Sequence, residues 1–149
     1  MPLLDLGNVK QRHSWLLEQH DRIVTAALND GGRAALDHID KRPGFTPRTG
    51  RTQDATKARM MRTAGGKLMR ISNRTKVARF MEHGTKRHII RARRKKFLRF
   101  KQGGAWVFRK AVNHPGNRAY LFMRRGALTG YYDVGRTLRA SMRSVAKQF

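Results

Sequence analysis

Apolar residues fall at helical spacing from about Asp5 to Asp40, where Trp15, Leu16, Ile23, Ala26 and Ala27 recur at steps of three, four and seven. The pattern predicts a long N-terminal helix. The Gly31-Gly32 pair is expected to bend or interrupt it, since a helix-interior glycine costs about 1 kcal/mol relative to alanine. Lys41 to Thr56 (KRPGFTPRTGRTQDAT) breaks the periodicity with two prolines and two glycines and reads as a linker or loop. Gly66 to Ser72 (GKLMRIS) alternates well enough for a short strand. Helical spacing returns in Thr75 to His83, where Val77, Phe80 and Met81 lie at i, i+3 and i+4, with Thr75 as a candidate N-cap and Gly84 as a stop.

Beyond Gly84 the period drops to two. Arg87 to Ala92 reads as a strand. Lys96–Lys101 and Ala105–Val112 read as a hairpin closed around Gln102-Gly103-Gly104. On that hairpin Leu98 and Phe100 share one face and Phe97, Arg99 and Lys101 the other. On its second strand Trp106, Phe108 and Val112 oppose Val107, Arg109 and Ala111. His114-Pro115-Gly116-Asn117 reads as a turn, and Ala119 to Gln148 as one helix, or two with a break near Gly130 and Gly135. Phe80, Phe100, Trp106, Phe108 and Phe122 are the expected core aromatics.

These elements predict an α+β fold: a small, mostly antiparallel sheet, made of the hairpin Lys96–Val112 and its neighbouring strands. A long N-terminal helix, a short middle helix and a C-terminal helix pack it. At 149 residues the chain has the length of one domain. Its expected segments are a helical 1–40, a linker 41–56 and a basic α+β body 57–149.

Charge changes the picture most. Lys and Arg number 34 against nine Asp and Glu, a formal net charge of +25. Residues 1–50 hold seven basic and six acidic residues, whereas 51–149 hold 27 and three. So one-sided a surface repels itself and is best tolerated beside a polyanion or an acidic protein. The excess peaks in the strands and turn between Arg87 and Arg109. There Arg87, Arg91, Arg93, Arg94, Lys95, Lys96, Arg99, Lys101 and Arg109 are the candidate contacts to a polyanion or partner.

The sequence points away from catalysis. There is no cysteine, which removes disulfides, thiolate nucleophiles and cysteine zinc sites. The basic portion has only Asp54, Glu82 and Asp133 as carboxylates, widely spaced. His83 and His88 lack zinc-helix spacing because Gly84 stands between them, and no phosphate-binding loop or nucleophile elbow occurs. No metal or cofactor is expected. Nor is a membrane segment or a signal peptide, since MPLLDLGNVK lacks the required pattern. The interleaving of Phe97, Phe100 and Trp106 with cations allows a general nucleic-acid-binding protein. It does not match an RNA-binding sheet signature, a helix-turn-helix or a zinc finger.

Two segments carry a resemblance: ARFMEHGTKRHIIRARRKKFLRF, 78–100, and VFRKAVNHPGNRAYLFMRRGAL, 107–128. In order and spacing they hold Glu82-His83-Gly84-Thr85, His88-Ile89-Ile90, Leu98-Arg99-Phe100, the strand Val107–Val112, His114-Pro115-Gly116 and Phe122-Met123. Pro47-Arg48-Thr49-Gly50 precedes them. This array resembles the tail-completion, or head–tail joining, proteins of the neck of long-tailed bacteriophages, with Val77-Ala78 standing where that family commonly has Tyr-Ala. The resemblance marks Glu82, Gly84, Thr85, His114, Pro115 and Gly116 as family-like turn positions. It implies a non-enzymatic virion protein assembled in the host cytoplasm. Such a protein forms a ring, usually sixfold, at the tail top, between a tail terminator or tail-tube protein and a head connector or stopper. Genome DNA would pass nearby.

Overall fold

The computed structural model describes residues 6–147; the expected helix start at Asp5 and end at Gln148 lie outside them. Among the described residues the architecture is α+β, with two long helices, two short ones and three small antiparallel sheets of two strands each. Packing divides the chain into two compact units, one of residues 1–75 and 122–149 and the other of residues 76–121.

The first unit is built on α1 (Leu6–Lys41) and α4 (Phe122–Ala146). Both run unbroken through their glycines, against the bend or interruption expected at Gly31-Gly32 and in agreement with the one-helix alternative for Ala119 to Gln148. The reason is tertiary. Gly31 lies against Gly130, and Gly126 lies against Ala35 and Ile39, so the helices cross antiparallel with their backbones close together. A Cβ on Gly126 would stand 2.5 Å from Ile39 Cγ1 and 2.9 Å from the Ala35 carbonyl. The burial gained by close approach offsets the propensity cost of each glycine. The core is accordingly made of small residues around a few large ones: Ala27, Ala35, Ile39 and Phe122 are buried with Gly126 and Gly130. Phe45 sets its ring edge-on to Phe122, with centroids 5.5 Å apart. Arg125 Nη2 donates to the Pro43 carbonyl at 3.2 Å, holding the turn after α1 against the start of α4.

Within the stretch read as linker, Arg51–Asp54 form a single turn, α2, and Thr56 opens a strand. That strand, β1 (Thr56–Thr63), pairs along its length with β2 (Gly66–Asn73); only β2 is expected from the sequence pattern. Asn73 closes the open end of the hairpin. Its amide donates to the Thr52 carbonyl at 2.6 Å and to Thr56 Oγ1 at 2.8 Å, while its oxygen accepts from Thr75 N and Oγ1 at 2.9 and 2.8 Å. One face of β1–β2 lies on α1. Lys67, almost covered, reaches Asp21 at 2.5 Å and donates to Thr25 Oγ1 at 2.6 Å. The hydrogen bond from Lys67 holds the Asp21 carboxyl below the ordinary carboxylate range.

The second unit holds α3 (Lys76–His83), β3 (His88–Arg91), β4 (Leu98–Gln102), β5 (Ala105–Arg109) and β6 (Ala111–His114). The expected hairpin is present as β4–β5. Its two-residue turn, Gly103-Gly104, has φ of 57° and 85°, as a type I′ turn requires. The expected continuous strand Ala105–Val112 is instead two strands. The chain bends at Lys110, and β6 pairs with β3, so the hairpin Lys96–Val112 and its neighbours form two ribbons and no single sheet.

Core expectations fail in this unit for the same reason. Two-stranded ribbons have too little area to bury large rings, so Phe80, Trp106 and Phe108 are about half exposed at 50%, 53% and 54%. Phe100 is partly covered. Of the five expected core aromatics, Phe122 alone is fully buried. On α3 the buried residue is Ala78, and the Val77–Phe80 stripe is exposed.

Candidate polyanion interface

The base of the second unit is built by the turn motifs. Gly84, with φ 73°, lies so close to the returning chain that a Cβ there would stand 2.6 Å from the Asn117 carbonyl and 2.8 Å from Ala119 N. Gly116, with φ 92°, presses in turn on the Thr85 carbonyl. Thr85 and Asn117 exchange backbone hydrogen bonds of 2.8 and 3.0 Å, and Tyr120 N and Leu121 N donate to the Met81 and Glu82 carbonyls. His114 is the last residue of β6, where the sequence suggested a turn. Its Nδ1 accepts from Gly116 N at 3.1 Å, and its ring lies 5.1 Å from that of His88 across the ribbon. Glu82, Gly84, Thr85, His114, Pro115 and Gly116 therefore converge on one knot of backbone, whose geometry only glycine satisfies at two positions.

Beside the knot is a pocket of about 990 Å³ lined by Val77, Phe80, His83, His88 and His114 among others. Among the described residues no group of three or more His, Cys, Asp or Glu is placed to hold a metal ion. The His114 hydrogen bond gives that ring a structural task in shaping the turn.

The nine expected cations are distributed along the strands and the connection between them. Arg87 precedes β3 and Arg91 ends it. Arg93, Arg94, Lys95 and Lys96 all sit on the connection to β4, so that Lys96, read as the start of the hairpin's first strand, precedes it. Arg99 and Lys101 are on β4, and Arg109 ends β5. All nine are exposed, and none forms an ion pair among the described residues.

Register sorts the hairpin into two unlike faces. Arg99 lies opposite Phe108, and Lys101 opposite Trp106. The Arg99 guanidinium stands 4.4 Å from the Trp106 ring centroid, and Lys101 Nζ stands 5.2 Å from it. This face alternates cation and aromatic, as a surface for phosphates with adjacent bases would. Leu98, Phe100, Val107 and Arg109 form the other face, which is mainly apolar. On β3, Ile89 and Ile90 are exposed as well, at 55% and 38%.

A second basic surface was not singled out in the sequence. Lys57, Arg59, Arg70 and Arg74 gather on the outer face of β1–β2. The signal was present: TKARMMRT and KLMRISN flank Ala64-Gly65-Gly66, a glycine-bearing turn that pairs the two basic segments. Among the described residues no helix is long and apolar enough to cross a membrane. No family model, curated protein or solved structure matches this chain.

Proposed function

We propose that this chain is a structural protein of the bacteriophage neck. In this reading it completes the top of the tail and joins tail to head as a ring around the DNA channel, touching DNA or acidic neighbours without reading sequence. It acts by assembly and carries out no reaction. The observation that carries this reading is the uncovered second unit. Two-stranded ribbons are marginal alone in water, yet here two of them display Ile89, Trp106 and Phe108, with Phe97 just before β4, beside nine cations that form no ion pair among the described residues. Such a surface is stable when neighbours cover it. A ring supplies them, because head-to-tail contacts bury each subunit's apolar edge against the next. The ordered turn motifs, which resemble those of neck proteins, fall where they fix the base of these ribbons. The exposed Val9, Leu16 and Leu17 on α1 offer further area for neighbours.

The test is genetic and structural. Phage lacking the protein should accumulate filled heads and complete tails that fail to join, and particle imaging should place the subunit at the junction. Full infectivity without it removes the proposal. The cation–aromatic face of Arg99, Lys101, Trp106 and Phe108 favours a second reading, a general nucleic-acid-binding protein. That protein would hold isolated nucleic acid in the absence of tail or connector and be found outside the particle.

A further inference from the structure

The outer face of β1–β2 belongs to the unit that contains α1 and α4, and none of the nine cations discussed above lies on it. Residues directly opposite in an antiparallel pair share a face. The register sets Arg59 against Arg70 and Lys57 against Ser72, with Met61 against Leu68 nearer the turn. Lys57, Arg59, Met61, Arg70 and Ser72, together with Arg74, line a concavity of about 570 Å³ with no Asp or Glu in its wall. Lys57, Arg59, Arg70 and Arg74 are exposed and form no ion pair among the described residues. On the opposite face of the same hairpin Arg62 lies across from Lys67, and Lys67 is bound to Asp21.

Two arginines directly across a ladder repel, which makes the arrangement unfavourable in the free protein. An anion placed between them reverses the sign. Guanidinium forks match phosphate oxygens two at a time, and Ser72 adds a hydroxyl on the same face. The choice of anion follows from what the face lacks. Its centre is charged, with only Met61 and Leu68 at one end, whereas protein interfaces place apolar residues centrally and deplete lysine there. Interfaces with nucleic acid are polar and strongly positive. The face also has no aromatic ring to stack an unpaired base, in contrast to the Trp106 face of β4–β5.

We propose that Lys57, Arg59, Arg70 and Arg74 form a docking surface for the phosphodiester backbone of double-stranded nucleic acid, bound without regard to sequence. The assignment rests on the register and charge of β1–β2 and not on the neck reading.

The test measures binding of the full chain to a short labelled duplex of random sequence across a salt series. Each phosphate contact contributes about 0.9 to the slope of log affinity against log salt. The variant Lys57→Gln/Arg59→Gln/Arg70→Gln should flatten the slope by about 2.7, so that the affinity lost between 50 and 200 mM salt shrinks by about 40-fold. Its melting temperature without DNA should equal or exceed that of the parent, because the cross-strand repulsion is gone. A control with the same charge removed elsewhere, Lys10→Gln/Arg48→Gln/Lys147→Gln, should leave the slope within one unit. An unchanged slope in the hairpin variant, or an equal drop in the control, overturns the proposal. Tighter binding of single strands than duplex overturns the duplex assignment. Competition by polyglutamate as effective as that by DNA reassigns the face to an acidic protein.

Discussion

The glycine contact between α1 and α4 yields a prediction whose sign opposes ordinary helix propensity. Alanine in place of a helical glycine normally gains about 1 kcal/mol. At Gly126 the new methyl would meet Ile39 Cγ1 at 2.5 Å, Ile39 Cδ1 at 2.8 Å and the Ala35 carbonyl at 2.9 Å. Ile39 is 1% exposed and has nowhere to withdraw, and the carbonyl belongs to a helix backbone. Overpacking of this kind costs about 1–3 kcal/mol, and three contacts below 3.0 Å place it at the upper end. The net expectation for Gly126→Ala is a loss of about 2 kcal/mol, or about 4–8 °C in melting temperature for a chain of this size. Gly135→Ala is the control on the same helix. Its Cβ would find nothing nearer than Arg139 Nη1 at 3.6 Å, so it should gain up to about 1 kcal/mol. Thermal and urea unfolding followed by far-ultraviolet circular dichroism measure both. In an Ile39→Ala background the penalty of Gly126→Ala should shrink, because the crowded side chain has gone. If Gly126→Ala stabilises as much as Gly135→Ala, the helices do not cross where described and the account of the core is wrong.

Further expectations follow from the second unit and from Asp21. Trp106→Ala should lower stability by only about 0.5–1 kcal/mol, the scale of an exposed cation–π contact, while impairing particle joining or DNA retention. Changing Arg93, Arg94, Lys95 and Lys96 to Gln should leave the melting curve in place and reduce head–tail joining, scored as infectious yield. Gly116→Ala, at φ 92° against the Thr85 carbonyl, should cost about 2 kcal/mol or more and loosen amide protection at Thr85 and Asn117. The depressed Asp21 pKa stabilises the fold at neutral pH; that contribution should fade as pH falls below about 4. Asp21→Asn should flatten this part of the acid limb of a stability–pH profile.

What the sequence disclosed depended on whether the cause was local. The α3 helix, β2, and the β4–β5 hairpin with its two glycines are set by short-range period and turn chemistry; α3 and β2 are found within about two residues of expectation, and the hairpin turn falls at Gly103-Gly104 as read although its second strand ends early, at Arg109. The unbroken passage of α1 through Gly31-Gly32 was hidden because Gly31 is explained by Gly130, about a hundred residues further along the chain. β1 was missed since Met60-Met61 and the interspersed arginines blur its alternation. The aromatics misled through size: a large ring suggests burial, but ribbons of two strands have no second layer to cover Trp106 or Phe108. Of the basic residues, those between Arg87 and Arg109 were visible as a run, whereas Arg59 and Arg70 become neighbours only through the hairpin turn.

The reciprocal bonds of Thr85 and Asn117 fasten both ends of everything between them, while the hairpin's far end, Gly103-Gly104, has nothing within 4 Å of where a side chain would begin. Lengthening a loop that is already clasped adds little entropy cost. An epitope spliced between those glycines should thus leave the clasp intact. It would report assembly directly, accessible to antibody on the free chain and concealed once neighbours close over the ribbons.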